Sequence, residues 1–321
     1  MAGGAHRFSS SPAVGVRDNV TCVPNDFVSA DVVVHGPASW NLVVDVDELP
    51  PATPHMRFAT AHREVLGGTS AGKAAHLRDL RVDIELHTVV GDDEAADAIT
   101  AALLHAGVRL VATRLDGPSE RHLNLMDRVG GRVSIYLDVP RAPDEHEASD
   151  ALRRLLDSAA HARAVVLDLS QGSRDIIAPV VDLGVPIWAD VHDYDGTSSF
   201  HQPFLDVASF VFMNGDRLSS PVDFLRSCAA NGAEVAVCTL GPDGAVAVDA
   251  SGGLHSVPAV PVAEVVDTNG AGDGFMAGFL AAHLDGADVD AALQAGAQHA
   301  TRALGTVQLN PILDPGRGPG R

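Results

Sequence analysis

Asp267-Thr268-Asn269-Gly270-Ala271-Gly272-Asp273-Gly274-Phe275 is the stretch whose residue types and spacing carry chemistry. Two glycines bracketing an alanine permit a tight path, so the backbone N–H groups of Gly270, Ala271 and Gly272 can converge at the positive end of a following helix. That is an anion hole. A carboxylate one step beyond it, Asp273, is placed to take a proton from a hydroxyl attacking the bound anion. The chemistry is phosphoryl transfer to an alcohol, with Asp273 as general base and Gly270, Ala271 and Gly272 as the anion hole.

The elements that must position this stretch are a strand ending at Glu264-Val265-Val266 and a helix of small residues from Phe275 to Ala282. A plain glycine turn with Asp as a helix cap is the bland alternative. A dinucleotide-binding turn would follow an early strand, and this one lies some fifty residues from the C-terminus.

From Ala151 onward, helical stretches alternate with short apolar runs at Ala164–Leu169, Val185–Asp190, Phe210–Met213 and Glu234–Cys238. Such a rhythm predicts an α/β fold, a doubly wound and mostly parallel central sheet with helices on both faces. Asp31–His35 is expected as a buried strand closed by Gly36. Short alternating segments at about 42–66 and 109–138 are expected to form a small β-sheet lying apart as a lid, with Pro140–His146 as the return linker. Residues 1–29 read as a flexible extension, 30–310 as the α/β domain and 311–321 as a flexible tail.

The Asp-Thr-x-Gly-Ala-Gly-Asp pattern resembles the C-terminal signature of the ribokinase (PfkB) family of carbohydrate and nucleoside kinases. The resemblance covers about Asp31 to Val307. It implies ATP and Mg2+ as cofactors, a monovalent cation such as K+, and a lid sheet that covers the sugar and serves as a homodimer contact. Asp267 and Thr268 then shape the phosphate and cation environment, and Thr239-Leu240-Gly241-Pro242-Asp243-Gly244 matches a loop under the nucleotide through Thr239, Gly241 and Gly244. Asn214 matches an Asn-x-x-Glu motif, although Arg217 stands in the Glu place and the nearest acid is Asp216. Asp190 and Asp216 are the candidate metal ligands.

On the acceptor side the resemblance points to Asn41, Asp45, Gly67, Gly68 and Lys73. Asn41 stands where the family has an Asp, and Gly72 where it has an Asn, both signs of an unusual acceptor. Gly67 to Lys73 also approximates a Walker A loop, but Ala74 replaces the hydroxyl residue and Arg63–Leu66 is a poor buried strand. Asp92, Asp93 and Glu94 read as first-turn helix charges, and Asp190–Asp195 as an acidic loop. A nucleoside acceptor would be stacked by Trp40 and Phe58. A ligand sensor without turnover is the reading from a different class, suggested by Asn41, Gly72 and Arg217.

The bulk composition narrows the partners. Twenty-two basic against 42 acidic residues give a net charge of −20, which disfavours nucleic acid. No apolar run is long enough for a membrane span, and the N-terminus has no secretory h-region. Three cysteines, Cys22, Cys228 and Cys238, show neither metal spacing nor a disulfide framework, so the cytoplasm is expected.

Overall fold

The structure is a computed structural model, and it describes residues 20–21, 29–128, 130–314 and 316. In chain order the strands and helices begin with β1 (Val20–Thr21), β2 (Val32–His35), β3 (Ser39–Asp45), β4 (Ala61–Gly67), α1 (Thr69–Asp79), β5 (Ile84–Val90), α2 (Glu94–His105), β6 (Arg109–Arg114), β7 (Arg121–Met126) and β8 (Arg132–Asp138). They continue through α3 (Glu145–Ala159), β9 (Ala164–Leu167), α4 (Gln171–Asp175), α5 (Ile177–Val181), β10 (Ile187–Asp190), α6 (Gln202–Leu205), β11 (Phe210–Asn214), α7 (Pro221–Ala230) and β12 (Val235–Thr239). The chain closes with β13 (Ala245–Asp249), β14 (Leu254–Val257), α8 (Ala271–Leu284) and α9 (Val289–Leu304).

Ten strands form the core sheet in the order β1-β6-β5-β2-β9-β10-β11-β12-β13-β14. The run from β6 to β12 is parallel, whereas β1, β13 and β14 pair antiparallel at the two edges. Side-chain alternation splits the core into two layers. Val32, Val34, Val166, Trp188, Phe210 and Phe212 face Leu77, Ile99, Phe279 and Leu293 of α1, α2, α8 and α9. Val33, Val165, Leu167, Ala189 and Val211 face Leu155, Val180, Phe204 and Leu225 of α3, α5, α6 and α7. With a period of two, neighbouring strand residues point to opposite faces, so continuous apolar runs mark strands covered on both sides. This is the doubly wound, mostly parallel α/β architecture expected.

The second sheet has four strands in the order β4-β3-β7-β8. Its make-up corrects the expected lid in two places. Arg109–Arg114 is a core strand paired parallel to β5, because α2 ends at Gly107 and returns the chain by a crossover. The lid begins at Ser39, before residue 42, and the long connection from Val46 to Thr60 contributes no strand.

Other boundaries shift for local reasons. α3 starts inside the expected linker, where Asp144 and Glu147 form a reciprocal capping box. Within the expected N-terminal extension, Val20–Thr21 pair with Thr113 and Ala112 of β6, while Cys22 lies outside the described residues. The expected C-terminal tail opens instead with a 3-10 turn at Pro311–Leu313. Asn310 caps this turn and is fully buried, and Leu313 is buried in the core. No strand precedes the glycine-rich motif. Pro258 and Pro261 interrupt the chain, Val265 and Val266 are half exposed, and the Val266 amide bonds the Leu304 carbonyl of α9 rather than a neighbouring strand.

Candidate active site

The motif is a self-supporting turn into α8. The Asn269 amide donates to the Asp267 carboxylate at 2.9 Å and the Ala271 amide to the Thr268 carbonyl at 3.3 Å. Gly270 caps the helix at φ +79°, and a Cβ there would lie 2.7 Å from the Leu309 carbonyl oxygen, so the position requires glycine. The Ala271 amide, expected to face an anion, is instead used inside the turn. Among the described residues no carbonyl accepts from the first-turn amides of Gly272 and Asp273. Gly272 and Asp273 both line a cleft, and a Cβ on Gly272 would meet nothing within 4 Å. A phosphate fits that cradle by charge and by shape.

This turn forms one wall of a cleft of about 1060 Å³ between the C-terminal ends of the parallel strands and the lid. Asn41, Gly67, Gly68, Asp190, Asn214, Asp216, Thr239, Thr268, Gly270, Gly272 and Asp273 line it, as the sequence leads one to expect. Gly67 is glycine because the Asn41 amide crosses it: a Cβ would sit 2.0 Å from Asn41 Nδ2. Gly68 sits at φ +88° against the Pro37 backbone.

Other expected site residues lie elsewhere. Asp45 and Asp267 are both bound by Arg63 of β4, each at 2.6 Å, and neither lines the cleft. The Asp267 carboxylate, 3% exposed, is already neutralised by a guanidinium, so it does not fit a monovalent cation. Gly241 and Gly244 shape the turn between β12 and β13, away from the cleft lining. Trp40 lies outside the cleft lining and packs against the core, and Phe58 is 97% exposed on the connection between β3 and β4, so neither can stack a base in the cleft.

Lys73 is also displaced from the role expected of it. Its ammonium is 1% exposed and contacts Asp273 at 2.8 Å, Asp168 at 3.0 Å and Asp190 at 3.2 Å. It does not line the cleft. Burial opposes its charge, but the three carboxylates outweigh that and hold the ammonium well above the usual lysine range. The Asp190 carboxylate is shared by Lys73 and the His192 amide, at 2.9 Å from the latter, which uses the oxygens a metal would need. Burial raises the Asp273 carboxyl to about 6 against the pull of Lys73, with Asp168 and Asp190 adding to the rise. A carboxyl near neutrality in a cleft is suited to general base work.

Several lining residues belong to no motif. On the lid, His122 is paired with Tyr136 and Asn124 with Ser134 across β7 and β8, and Glu120 and Arg132 extend the same polar face. The His122 and Tyr136 rings lie 4.0 Å apart. The Asn124 side-chain oxygen is buried and has no partner. Their signal in the sequence is the alternation of polar with apolar residues along these strands. Arg132 donates to the Asn269 side chain at 2.8 Å, so the lid sits down on the motif. Arg217 pairs with Asp195 at 3.4 Å on the cleft rim.

Residues 210–312 match the model of the "pfkB family carbohydrate kinase". The acarbose 7(IV)-phosphotransferase of Actinoplanes sp. is 30% identical over 270 residues, 83% of this chain and 89% of that protein. A microbiome-derived acarbose kinase superposes with a TM-score of 0.75 at 28% identity, over 87% of this chain and 94% of the other. The ribokinase of Arabidopsis thaliana, solved with ribose and ATP, superposes with a TM-score of 0.71 at 21% identity, over 89% and 99%, and shares the fold. The extent of the first match, together with the family model over the motif and α9, places this chain in the pfkB family of carbohydrate kinases.

Proposed function

We propose that this kinase transfers the γ-phosphoryl group of ATP to a hydroxyl of a sugar or sugar-like acceptor, with Asp273 as the general base. The observation that carries the reading is the buried Asp273 carboxylate, open to the cleft beside unpaired first-turn amides and opposite a polar lid face. The acceptor hydroxyl gives its proton to Asp273 as its oxygen attacks the γ-phosphorus in line, and the bond to the β-γ bridging oxygen breaks on the opposite side to release ADP. The Gly272 and Asp273 amides, at the positive end of α8, stabilise the charge that spreads over the phosphoryl oxygens.

The acceptor is assigned to the space between the lid face that carries Asn41 and Asn124 and the glycine-rich turn. Asn124 offers an unpartnered buried oxygen, which gains a hydrogen bond only when a hydroxyl reaches it. Ring faces at His122 and Tyr136 suit the apolar face of a sugar ring. At about 1060 Å³ the cleft stands at the upper end of ligand-site volumes, ~300–1,000 Å³, as expected where a nucleotide and an acceptor bind together. Similarity to acarbose kinases favours an oligosaccharide-sized acceptor over a nucleoside, as does the placement of Trp40 and Phe58 outside the cleft lining.

Mg2+ fits as a nucleotide-borne ion. Among the described residues no group of three or more His, Cys, Asp or Glu side chains could hold a metal, while exposed Asp216 and Asn214 line the cleft and offer oxygens to an ion held mainly by phosphates. When bound, it would neutralise charge on the transferred group. The donor loop is assigned to Asn214 and Thr239 at the ends of β11 and β12.

The exposed face of β8, with Val133, Ile135 and Leu137, is assigned to a homodimer contact. A cytoplasmic setting agrees with ATP as donor and with Cys228 and Cys238 free and buried, their thiols pushed up by burial to about 12 and about 11. No helix among the described residues is long and apolar enough to cross a membrane.

The test is a mass-spectrometric search for phosphorylated products in a pool of monosaccharides, oligosaccharides, amino-pseudosugars and nucleosides with Mg-ATP. A sugar or pseudo-sugar product is expected. Phosphorylation of nucleosides alone would overturn the acceptor assignment.

A further inference from the structure

The buried quartet of Lys73, Asp168, Asp190 and Asp273 is not explained by phosphate or acceptor binding. Its members come from α1, from the ends of β9 and β10, and from the first turn of α8. Two glycines clear the space around it. A Cβ on Gly72 would lie 2.4 Å from Asp273 Oδ2 and 2.9 Å from its Cγ, and one on Gly36 would lie 2.9 Å from the Asp168 Cβ. Asp168 is further held by the Ser70 hydroxyl, which donates at 2.7 Å.

An ammonium shut away from water can neither bind substrate nor gain from solvent, and its only function is what it does to the carboxylates it touches. Of the three, only Asp273 combines that contact with a place at the mouth of the amide turn. Resting on the reading of Asp273 as the base, we infer that Lys73 is a positioning residue: its ammonium fixes the Asp273 carboxylate at the cleft floor, in the space left by Gly72, and sets the charge of that carboxylate against its two acidic neighbours.

The groups facing Asp273 are Lys73 from α1, Asp168 beyond β9, and Asp190 with His192 beyond β10. His76 of α1 lies beneath Gly274, and His299 of α9 stands behind it. With Lys73 removed, two carboxylates and burial act on Asp273 unopposed, which moves its ionisation to higher pH. With Asp168 neutralised, one repulsion is gone and ionisation moves to lower pH.

The pH dependence of kcat is therefore measured for the wild type and for Lys73→Met, Lys73→Arg, Asp168→Asn and Gly72→Ala, each with its melting temperature. In Lys73→Met the acid limb is expected to move up by about two pH units and kcat at pH 7 to fall about ten-fold. KM for ATP should stay within about two-fold, since Lys73 is buried and lies outside the cleft lining. Lys73→Arg should restore part of the limb, and Asp168→Asn should move it the other way. Gly72→Ala sits in the body of α1, where alanine's helix propensity offsets part of the overpacking cost, so it should still fold while its methyl displaces Asp273 and lowers kcat about ten-fold or more.

A Lys73→Met limb unmoved from the wild type, or a folded Gly72→Ala enzyme with normal kcat, overturns the inference. The second result decides the matter if Lys73→Met does not fold. Carboxyl 13C NMR titration of Asp273, assigned by subtraction of an Asp273→Asn spectrum, reads the same displacement without an acceptor. If the displacement appears and no acceptor is ever phosphorylated, the positioning by Lys73 stands and the acceptor assignment alone fails.

Discussion

Arg63 of the lid strand β4 bridges Asp45 of β3 and Asp267 of the glycine-rich turn, with both nitrogen-to-oxygen distances at 2.6 Å. One guanidinium thus ties two lid strands to the glycine-rich turn at the start of α8. Arg63→Met leaves the buried Asp267 carboxylate without its partner, which costs roughly 2–5 kcal/mol of stability. Thermal denaturation should show a melting point lowered by several degrees, and kcat/KM for the acceptor should fall as the lid loosens. Arg63→Lys should recover only part of both, because an ammonium does not present two parallel donors.

The pH profile of the wild type follows from Asp273. Its carboxyl is raised to about 6, and only the ionised form accepts the acceptor proton, so kcat should decline as pH falls through about 6. Asp273→Asn should lose about 10²- to 10⁴-fold in kcat, the usual range for a general base, while ATP binding followed by calorimetry changes little. Retention of near-normal turnover by the Asn variant would rule out the base role.

Asn124 supplies a sharper check on the acceptor side. Asn124→Ala removes a neutral hydrogen bond worth about 1 kcal/mol, so KM for the acceptor should rise about five-fold, with KM for ATP unchanged. An equal rise in both constants would mean that the residue holds the lid and not the acceptor.

Gly270→Ala tests the turn itself. A side chain at φ +79° costs about 1–2 kcal/mol in backbone strain, and its Cβ would press on the Leu309 carbonyl at 2.7 Å. Lower stability together with weaker ATP binding is expected by thermal shift with and without nucleotide. By contrast, Phe58→Ser on the exposed connection should leave both kinetic constants unchanged.

The dimer assignment is checked by sedimentation. Ile135→Lys, on the outward side of β8, should convert a dimer to a monomer without lowering the melting point, since Ile135 is about half exposed in the single chain.

The glycine-rich motif was legible in the sequence because backbone constraints are written in residue type: Gly270 needs a left-handed φ, Gly67 must pass under Asn41, and small residues start α8. The parallel core was legible for a similar reason, since strands buried on both faces read as unbroken apolar runs. The Lys73 quartet was not, because its carboxylates lie about one hundred to two hundred residues further along and meet the lysine only when four elements pack. Arg109–Arg114 stands in a series of short strands and reads as lid, although a crossover after α2 sends it into the core, where Leu110–Thr113 are buried. Val265 and Val266 are β-branched like a strand, but two prolines and an exposed surface leave the segment without a strand to pair with.

The chain has two tryptophans, and the fold separates them. Trp188 is sealed in the core, stacked 3.9 Å from Phe210, whereas Trp40 sits half-buried on β3 with its indole nitrogen facing Glu64. Their emission should divide into a blue-shifted component that reports denaturation of the sheet and a red-shifted one that follows displacement of the lid. Opening and unfolding can thus be told apart by steady-state fluorescence on the native polypeptide, with no dye attached.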